Sequence, residues 1–155
     1  MSTYVAALLL RKGKVTIGDM ANAALAGGVA IGATCNLVSG ALALTIGAVA
    51  GALCVLGYAV IQPALQKRLK IVDTCGVHNL HGMPGLLGGI IAAVVIPAVA
   101  AAQLAGIVVT VAVALTGGIV SGFVLRALGS KRKAYEDADE FAVAEEPPIA
   151  MTAKR

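Results

Sequence analysis

The segment DTCGVHNLHGMPGLLGG, residues 73–89, contains both histidines of the 155-residue chain, together with five glycines and a proline. Lys, Arg, Asp and Glu are absent from two long stretches, residues 20–66 and 74–125, and the segment opens the second of them. An ionisable side chain at membrane depth is costly, and it marks a functional site by default. If these stretches lie in a membrane, His78 and His81 are the first candidates for function.

The composition excludes an ordinary soluble domain. Hydrophobic residues make up 59% of the chain and charged residues 13%, with a mean hydropathy of +0.91, whereas soluble domains carry about 25% charged residues. The 19 glycines and the many alanines suit transmembrane helices that pack with their backbones close together.

Other functional classes find little support in the sequence. The net charge of +4 comes from short basic clusters without interleaved aromatics, so we expect no nucleic-acid partner. Three cysteines, Cys35, Cys54 and Cys75, do not make a disulfide framework, and we interpret them as buried free thiols. There is no metal-ligand spacing and no nucleophile–base pair, so we predict neither an enzyme nor a cofactor.

The apolar stretches predict four membrane crossings. A helix that crosses a bilayer needs roughly 20 mainly apolar residues. With a turn at 36–40, the first stretch gives spans of about 20–37 and 41–63, the second ending at Pro63. With a break at 97–103, the second stretch gives spans of about 77–97 and 104–127. Residues 1–10 are too short to cross alone and are expected to be the end of a fifth span.

The basic residues predict the orientation of these spans. Four crossings place all twelve Lys and Arg residues on one side, which the positive-inside rule assigns to the cytoplasm. The groups are Arg11, Lys12 and Lys14; Lys67, Arg68 and Lys70; Arg126, Lys131, Arg132 and Lys133; Lys154 and Arg155. The membrane domain is therefore predicted over 1–128. Residues 129–155, polar and acidic, are predicted to be a disordered cytoplasmic tail.

The histidine segment combines polar groups with small residues. Asp73 suits a helix N-cap, a role we favour over proton transfer. His78 and His81 are three residues apart and are predicted to project from one helix face, lining a pore rather than filling a core. An imidazole can donate or accept hydrogen bonds and titrates near neutral pH. The glycines predicted to allow close helix packing are Gly76, Gly82, Gly85, Gly88 and Gly89.

Residues 73–85, DTCGVHNLHGMPG, resemble the signature of the Rhesus (Rh) glycoproteins, the Rh branch of the ammonium transporter family. Residues 22–32, NAALAGGVAIG, resemble the preceding block of that family. The resemblance implies a trimeric channel for ammonia or ammonium, with eleven or twelve helices per protomer in two inverted halves. It also implies that two histidines, one from each half, face each other along the pore. His78 matches the second of that pair, His81 belongs to the Rh form of the motif, and Asp73 matches the acidic residue ahead of the histidine.

The resemblance covers only the last four helices and the end of one before them. We therefore expect this chain to be part of an ammonia channel in the cell membrane that does not conduct alone. Its expected partners are the lipid bilayer, the substrate, and a missing N-terminal half or full-length protomers in a homotrimer. The alternative is a four-helix structural or regulatory subunit that assembles with full-length relatives, with the histidines serving only as hydrogen-bonding groups.

Overall fold

The computed structural model of the protein describes residues 1–129, and every regular element in that range is helical. The chain divides into two units, Met1–Ala114 and Leu115–Arg155. The helices are α1 (Ser2–Leu10), α2 (Ile17–Ile31), α3 (Gly40–Leu56), α4 (Gln62–Leu69), α5 (Met83–Val95) and α6 (Ala100–Ala127). The predicted all-α class agrees with this structure. The predicted tail lies, apart from its first residue, outside the described residues.

The turn between α1 and α2 is fixed by an ion pair and a capping box. Lys12 and Gly13 adopt positive φ angles of 54° and 87°, which reverse the chain. The Thr16 hydroxyl accepts from the Asp19 N–H, and the Asp19 carboxylate accepts from the Thr16 N–H. Arg11 contacts the same carboxylate, with Nε 2.8 Å from Oδ2. Because Asp19 is buried, this pairing offsets the cost of removing its charge from water.

Two helices continue through a proline, one at Pro63 and the other at Pro84. Pro63, the predicted end of the second span, lies inside a helix, because α3, a π-helical segment (Gly57–Ile61) and α4 form one helix, Gly40–Leu69. The end of the membrane crossing stays a prediction. In the π segment the Gln62 N–H bonds to the Gly57 carbonyl. Such a widened turn relieves the clash between a proline ring and the preceding turn.

The same arrangement recurs before Pro84. A second π-helical segment, His78–Gly82, precedes α5, and the Met83 N–H bonds to the His78 carbonyl. Each π segment thus ends two residues before a proline. Membrane helices tolerate such interruptions where neighbouring groups satisfy the freed backbone.

Other helix ends differ from the predicted ones by several residues. Helix α2 ends at Ile31 rather than near 37, and turns lead to Ser39, whose hydroxyl accepts from the Leu42 N–H at the start of α3. The break expected at 97–103 lies at Ile96, with φ −122° and ψ 75°. A short 3₁₀ turn, Pro97–Val99, then leads directly into α6, because a proline is well suited to a helix start.

Two of the described helices, Gly40–Leu69 and Pro97–Ala127, are long and apolar enough to cross a membrane on their own. The apolar helix Ile17–Ile31 is shorter than a full crossing. Val77, the second π segment and α5 form one continuous helix over 77–95. The number of four complete crossings therefore stays a prediction.

Small residues bring the helices of the first unit together. Ala26, Ala30, Ala50 and Cys54 are fully buried. A Cβ added at Gly88 would collide with the backbone carbonyl of Ala30 in α2. Close backbone approach at small residues is how membrane helices gain van der Waals contact, and α2 and α5 pack in this way.

We expect Gly88→Ala to destabilise the protein in detergent by about 1–3 kcal/mol, the usual cost of overpacking. The reason is that the added methyl group meets a backbone atom that cannot move aside without shifting α2. The measurement is the apparent Tm from circular dichroism of the purified protein.

Gly28→Ala is the matched control on the partner helix, since a Cβ at Gly28 has no atom within 4 Å. It should leave the Tm unchanged or raise it, because alanine favours helix over glycine. Equal effects of the two substitutions would contradict the packing described here.

Candidate functional site

Asp73 lies at the start of the helical segment that carries the histidines. Its Oδ1 accepts from the Val77 N–H at 3.0 Å and its Oδ2 accepts from the His78 N–H at 2.9 Å. The first N–H groups of a helix have no partner within the helix. The carboxylate thus supplies partners for two of them from a position four residues ahead of Val77, where the helix begins.

A chain of amide groups links this turn to the other interrupted helix. The Gln62 Nε2 donates to the Asp73 backbone carbonyl at 2.7 Å, and the Asn79 Nδ2 donates to the Gln62 Oε1. The Asn79 side chain is fully buried, and its Oδ1 lies 3.3 Å from the His78 Nδ1. Polar contacts therefore join Gln62, the residue that follows the first π segment, to the second π segment, and they include one of the histidines.

Tyr58 holds the loop that leads into the site. Its hydroxyl donates to the Cys75 carbonyl at 2.9 Å, with the Gly76 carbonyl at 3.3 Å. Gly76 has a φ of +66°, and a Cβ there would collide with the Tyr58 ring. The glycine at this position is needed both for the backbone angle and for the close approach of the ring.

The two histidines border different cavities. His78 lines a cavity of about 180 Å³ together with Gln62, Gln66, Asp73 and three apolar side chains, Leu65, Ile71 and Val72. His81 lines a larger groove of about 630 Å³ between α5 and the first part of α6. The sequence predicted one shared face from α-helical spacing. In a π segment the hydrogen bonds span five residues, so the turn is wider and residues three apart diverge.

The groove beside His81 is lined mainly by small and apolar residues. Its polar side chains are those of His81, Gln103 and Thr110, and the Thr110 hydroxyl donates to the Gly106 carbonyl at 2.8 Å. The residues around it are Ala33, Val77, Gly82, Gly85, Leu86, Gly89, Gly106, Ile107, Val111 and Ala114. No carboxylate, ammonium or guanidinium group is among them.

The glycines predicted for close packing differ in what they contact. Gly88 meets the Ala30 backbone, and a Cβ at Gly89 would lie 3.0 Å from the Ile107 Cδ1 of α6. A Cβ at Gly85 would lie 3.8 Å from the Val29 Cγ1, an ordinary van der Waals distance. A Cβ at Gly82 would meet only the His78 ring of its own helical segment within 4 Å. Gly82 and Gly85 are exposed and line the groove, whereas Gly89 lines it and is also buried against α6.

Sequence reasoning did not single out Tyr58, Gln62 or Asn79. A signal existed for Asn79, which stands between the two histidines, and for Gln62, which precedes a proline inside an apolar span. Within residues 1–129 no group of three or more His, Cys, Asp or Glu side chains is arranged to hold a metal ion. Cys54 is a buried free thiol as predicted, whereas Cys35 and Cys75 are exposed.

Comparison with known proteins identifies the family. The sequence pattern of the Ammonium Transporter Family matches residues 1–146. Ammonium transporter Rh type C of Rattus norvegicus is 34% identical over an alignment that covers 92% of this chain and 35% of the relative. Rh type A of Mus musculus is 40% identical, with 79% and 29% covered.

A solved structure shares the fold. The Rh50 protein of Nitrosomonas europaea, described with the conduction mechanism of the Rhesus protein family of channels, is 51% identical with a TM-score of 0.84. The match covers 94% of this chain and 38% of that one, so the chain spans about a third of the length of the relatives it matches. These relatives are transporters and channels, not enzymes, in agreement with the prediction from sequence. The chain therefore belongs to the ammonium transporter family, in its Rh branch, and is a membrane protein.

Proposed function

We propose that this chain supplies one wall of a transmembrane channel for ammonia, and that the groove beside His81 is part of the conduction pathway. The observation that carries the proposal is the chemistry of the groove, which is mainly apolar and has no acidic or basic side chain other than the imidazole of His81. Its other polar side chains, Gln103 and Thr110, are neutral. The family supports the substrate, because its relatives are named as ammonium transporters.

The groove favours a neutral solute over a cation. Moving an ion from water into an apolar site is far more costly than moving a neutral polar molecule, unless an opposite charge compensates. No opposite charge lines the groove. Ammonium would therefore lose its proton before entry, and neutral ammonia would pass the imidazole of His81, which can donate or accept a hydrogen bond.

The resemblance implied His78 as the pore-lining histidine, and the groove is our reason to propose His81 instead. His81 borders the larger groove, whereas His78 lies at a separate, smaller cavity beside Asp73 and Gln62. We propose His81 as the pore-lining histidine and His78 as a group near the end of the pathway. Asp73 holds the backbone of this turn in place through its two hydrogen bonds.

Further helices are proposed to complete the groove. Apolar side chains of α6 are widely exposed, for example Val108 at 68%. None of the residues of α6 is buried. Exposed apolar faces of this size mark contacts with lipid or with other protein. We propose that lipid covers part of α6 and that additional helices, in a homotrimeric channel, close the groove.

The basic turns are proposed to face the cytoplasm. A surface cavity is lined by Arg11, Lys12 and Lys14 together with Ala59 of the long helix Gly40–Leu69. Ala59 stands eight residues before Lys67 in that helix. Two basic clusters of the first unit thus lie towards the same end of that helix, as the positive-inside rule requires. The cell membrane is the proposed location.

His81→Ala should abolish ammonia conduction without loss of assembly. A suitable host is a chimaera in which this chain replaces the matching 38% of Nitrosomonas europaea Rh50. We expect a roughly tenfold or larger fall in ammonium-driven alkalinisation of proteoliposomes, because the imidazole is the group in the groove that we propose to hydrogen-bond ammonia. His78→Ala is the matched control and should reduce flux less. Size-exclusion chromatography reports assembly.

Two results would count against the pore role. If the His81→Ala chimaera conducted ammonia at the rate of the unsubstituted chimaera, His81 would not be part of the pathway. Loss of assembly, with flux lost secondarily, would favour a structural subunit in which the histidines only hold helices together.

The 155-residue chain on its own should not conduct. We expect proteoliposomes that contain only this purified chain to alkalinise at the rate of empty liposomes, because one wall of a groove does not enclose a path through the bilayer. The measurement is stopped-flow fluorescence of an enclosed pH dye after an ammonium jump. Flux above the empty-liposome rate, and absent in His81→Ala, would show that copies of the chain complete the pathway among themselves.

A further inference from the structure

A cationic cavity of about 390 Å³ opens where the turn between α1 and α2 lies against the long helix Gly40–Leu69. Three of its side chains are cationic and none is acidic, the lining residues being Leu10, Arg11, Lys12, Lys14, Thr16 and Ala59. One water molecule takes up about 30 Å³ of liquid. The cavity therefore has room for a phosphate group together with several waters.

The protein balances only part of the positive charge around this cavity. Arg11 is paired with Asp19 through Nε and Nη2, at 2.8 and 2.9 Å. Lys12 and Lys14 are exposed, and within residues 1–129 neither of them forms an ion pair. The Thr16 hydroxyl accepts from the Asp19 N–H, so its own hydrogen is left to donate. Two uncompensated ammonium groups and a hydroxyl donor thus line one cavity, a combination that suits an anion.

Apolar side chains beside the cavity indicate that the anion belongs to a lipid. Leu9, Ile17 and Val60 each adjoin a cavity residue in the sequence, and they are exposed by 77%, 90% and 49%. Cations next to exposed apolar side chains are typical of the membrane interface, where the charge meets headgroups and the apolar surface meets acyl chains. A free phosphate ion would use the cations and leave these apolar side chains in water.

We propose that this cationic cavity binds the phosphate group of an anionic phospholipid, in the leaflet that the basic turns face. Lys12 and Lys14 pair with the phosphate oxygens and the Thr16 hydroxyl donates to one of them, while the acyl chains lie against the neighbouring apolar side chains. Basic pockets between membrane helices recognise anionic headgroups in this way. A phosphatidylcholine headgroup fits less well, because its own ammonium group would be repelled by the three cations.

The proposed lipid site is independent of the proposed conduction pathway. It needs the chain to lie in a bilayer, but it uses neither histidine and none of the residues that line the groove beside His81. Loss of ammonia flux in the His81→Ala chimaera and loss of lipid binding at the cationic cavity are therefore separate results.

Native mass spectrometry of the full chain, purified in a neutral detergent, measures the binding of single lipids. Phosphatidylglycerol and phosphatidylcholine with identical acyl chains are titrated separately. We expect one phosphatidylglycerol to bind more tightly than any phosphatidylcholine, because the two lipids differ in net charge alone among the features that the cavity recognises. Equal affinity for the two lipids would overturn the proposal.

The double variant Lys12→Gln/Lys14→Gln should weaken the binding of phosphatidylglycerol by about fivefold for each lysine and about 30-fold for the pair. The matched control is Lys67→Gln/Arg68→Gln, which removes the same charge from two exposed residues outside the cavity and should keep the affinity. Circular dichroism checks that both variants are folded. An equal loss in the two variants would show a diffuse attraction between charges and would overturn a defined site.

Ala59→Leu tests the cavity without changing any charge. Its larger side chain takes up space that the phosphate needs, so phosphatidylglycerol should bind as weakly as it does to the double lysine variant. Val60→Leu is its control, since Val60 is exposed and does not line the cavity. Retention of full affinity in Ala59→Leu would place the lipid elsewhere and overturn the proposal.

Glycerol 3-phosphate distinguishes a lipid from a free phosphate compound, because it presents a phosphate group without acyl chains. We expect it to displace phosphatidylglycerol only at a concentration far above that of the lipid. Displacement at an equal concentration would show that the acyl chains contribute nothing, and would overturn the assignment to a lipid.

Discussion

The buried side-chain amide of Asn79 is the group on which the geometry of the site depends. An amide that is buried without partners costs about 1–3 kcal/mol. Gln62 and His78 provide those partners. Gly57 provides the space, since a Cβ there would lie 2.6 Å from the Asn79 Oδ1. The contact joins two helices at the point where each is widened, and so fixes their register.

The two widened turns also explain why the histidines separate. Pro63 and Pro84 each remove a backbone donor, and each follows a π segment that makes room for the ring. The second π segment carries both His78 and His81. Its wider turn directs one imidazole to the cavity beside Gln62 and the other to the groove along α6. The divergence is therefore a local consequence of the proline that follows.

The sequence was sufficient for the fold class because apolar length and charge distribution are properties of composition. It was also sufficient to place Asp73 at the start of a helix, since a carboxylate before an apolar run has a local reason to be there. It was not sufficient to show that the helix continues beyond Pro63 to Leu69, because whether a proline stops a helix depends on the geometry of the preceding turn. The roles of Gln62 and Asn79 depend on a contact between residues 17 positions apart, which no local pattern reveals.

The distribution of charge suggests how the proposed pathway excludes cations. Residues 1–129 contain seven Lys and Arg residues and only two acidic residues, Asp19 and Asp73. Both carboxylates are engaged, Asp19 by Arg11 and Thr16 and Asp73 by the backbone of Val77 and His78. Neither of them lines the groove beside His81, so the described residues place no carboxylate there to offset the desolvation of an ammonium ion. Because ammonia and ammonium are similar in size, the selection that we propose for the neutral form rests on this missing charge compensation rather than on the width of the groove.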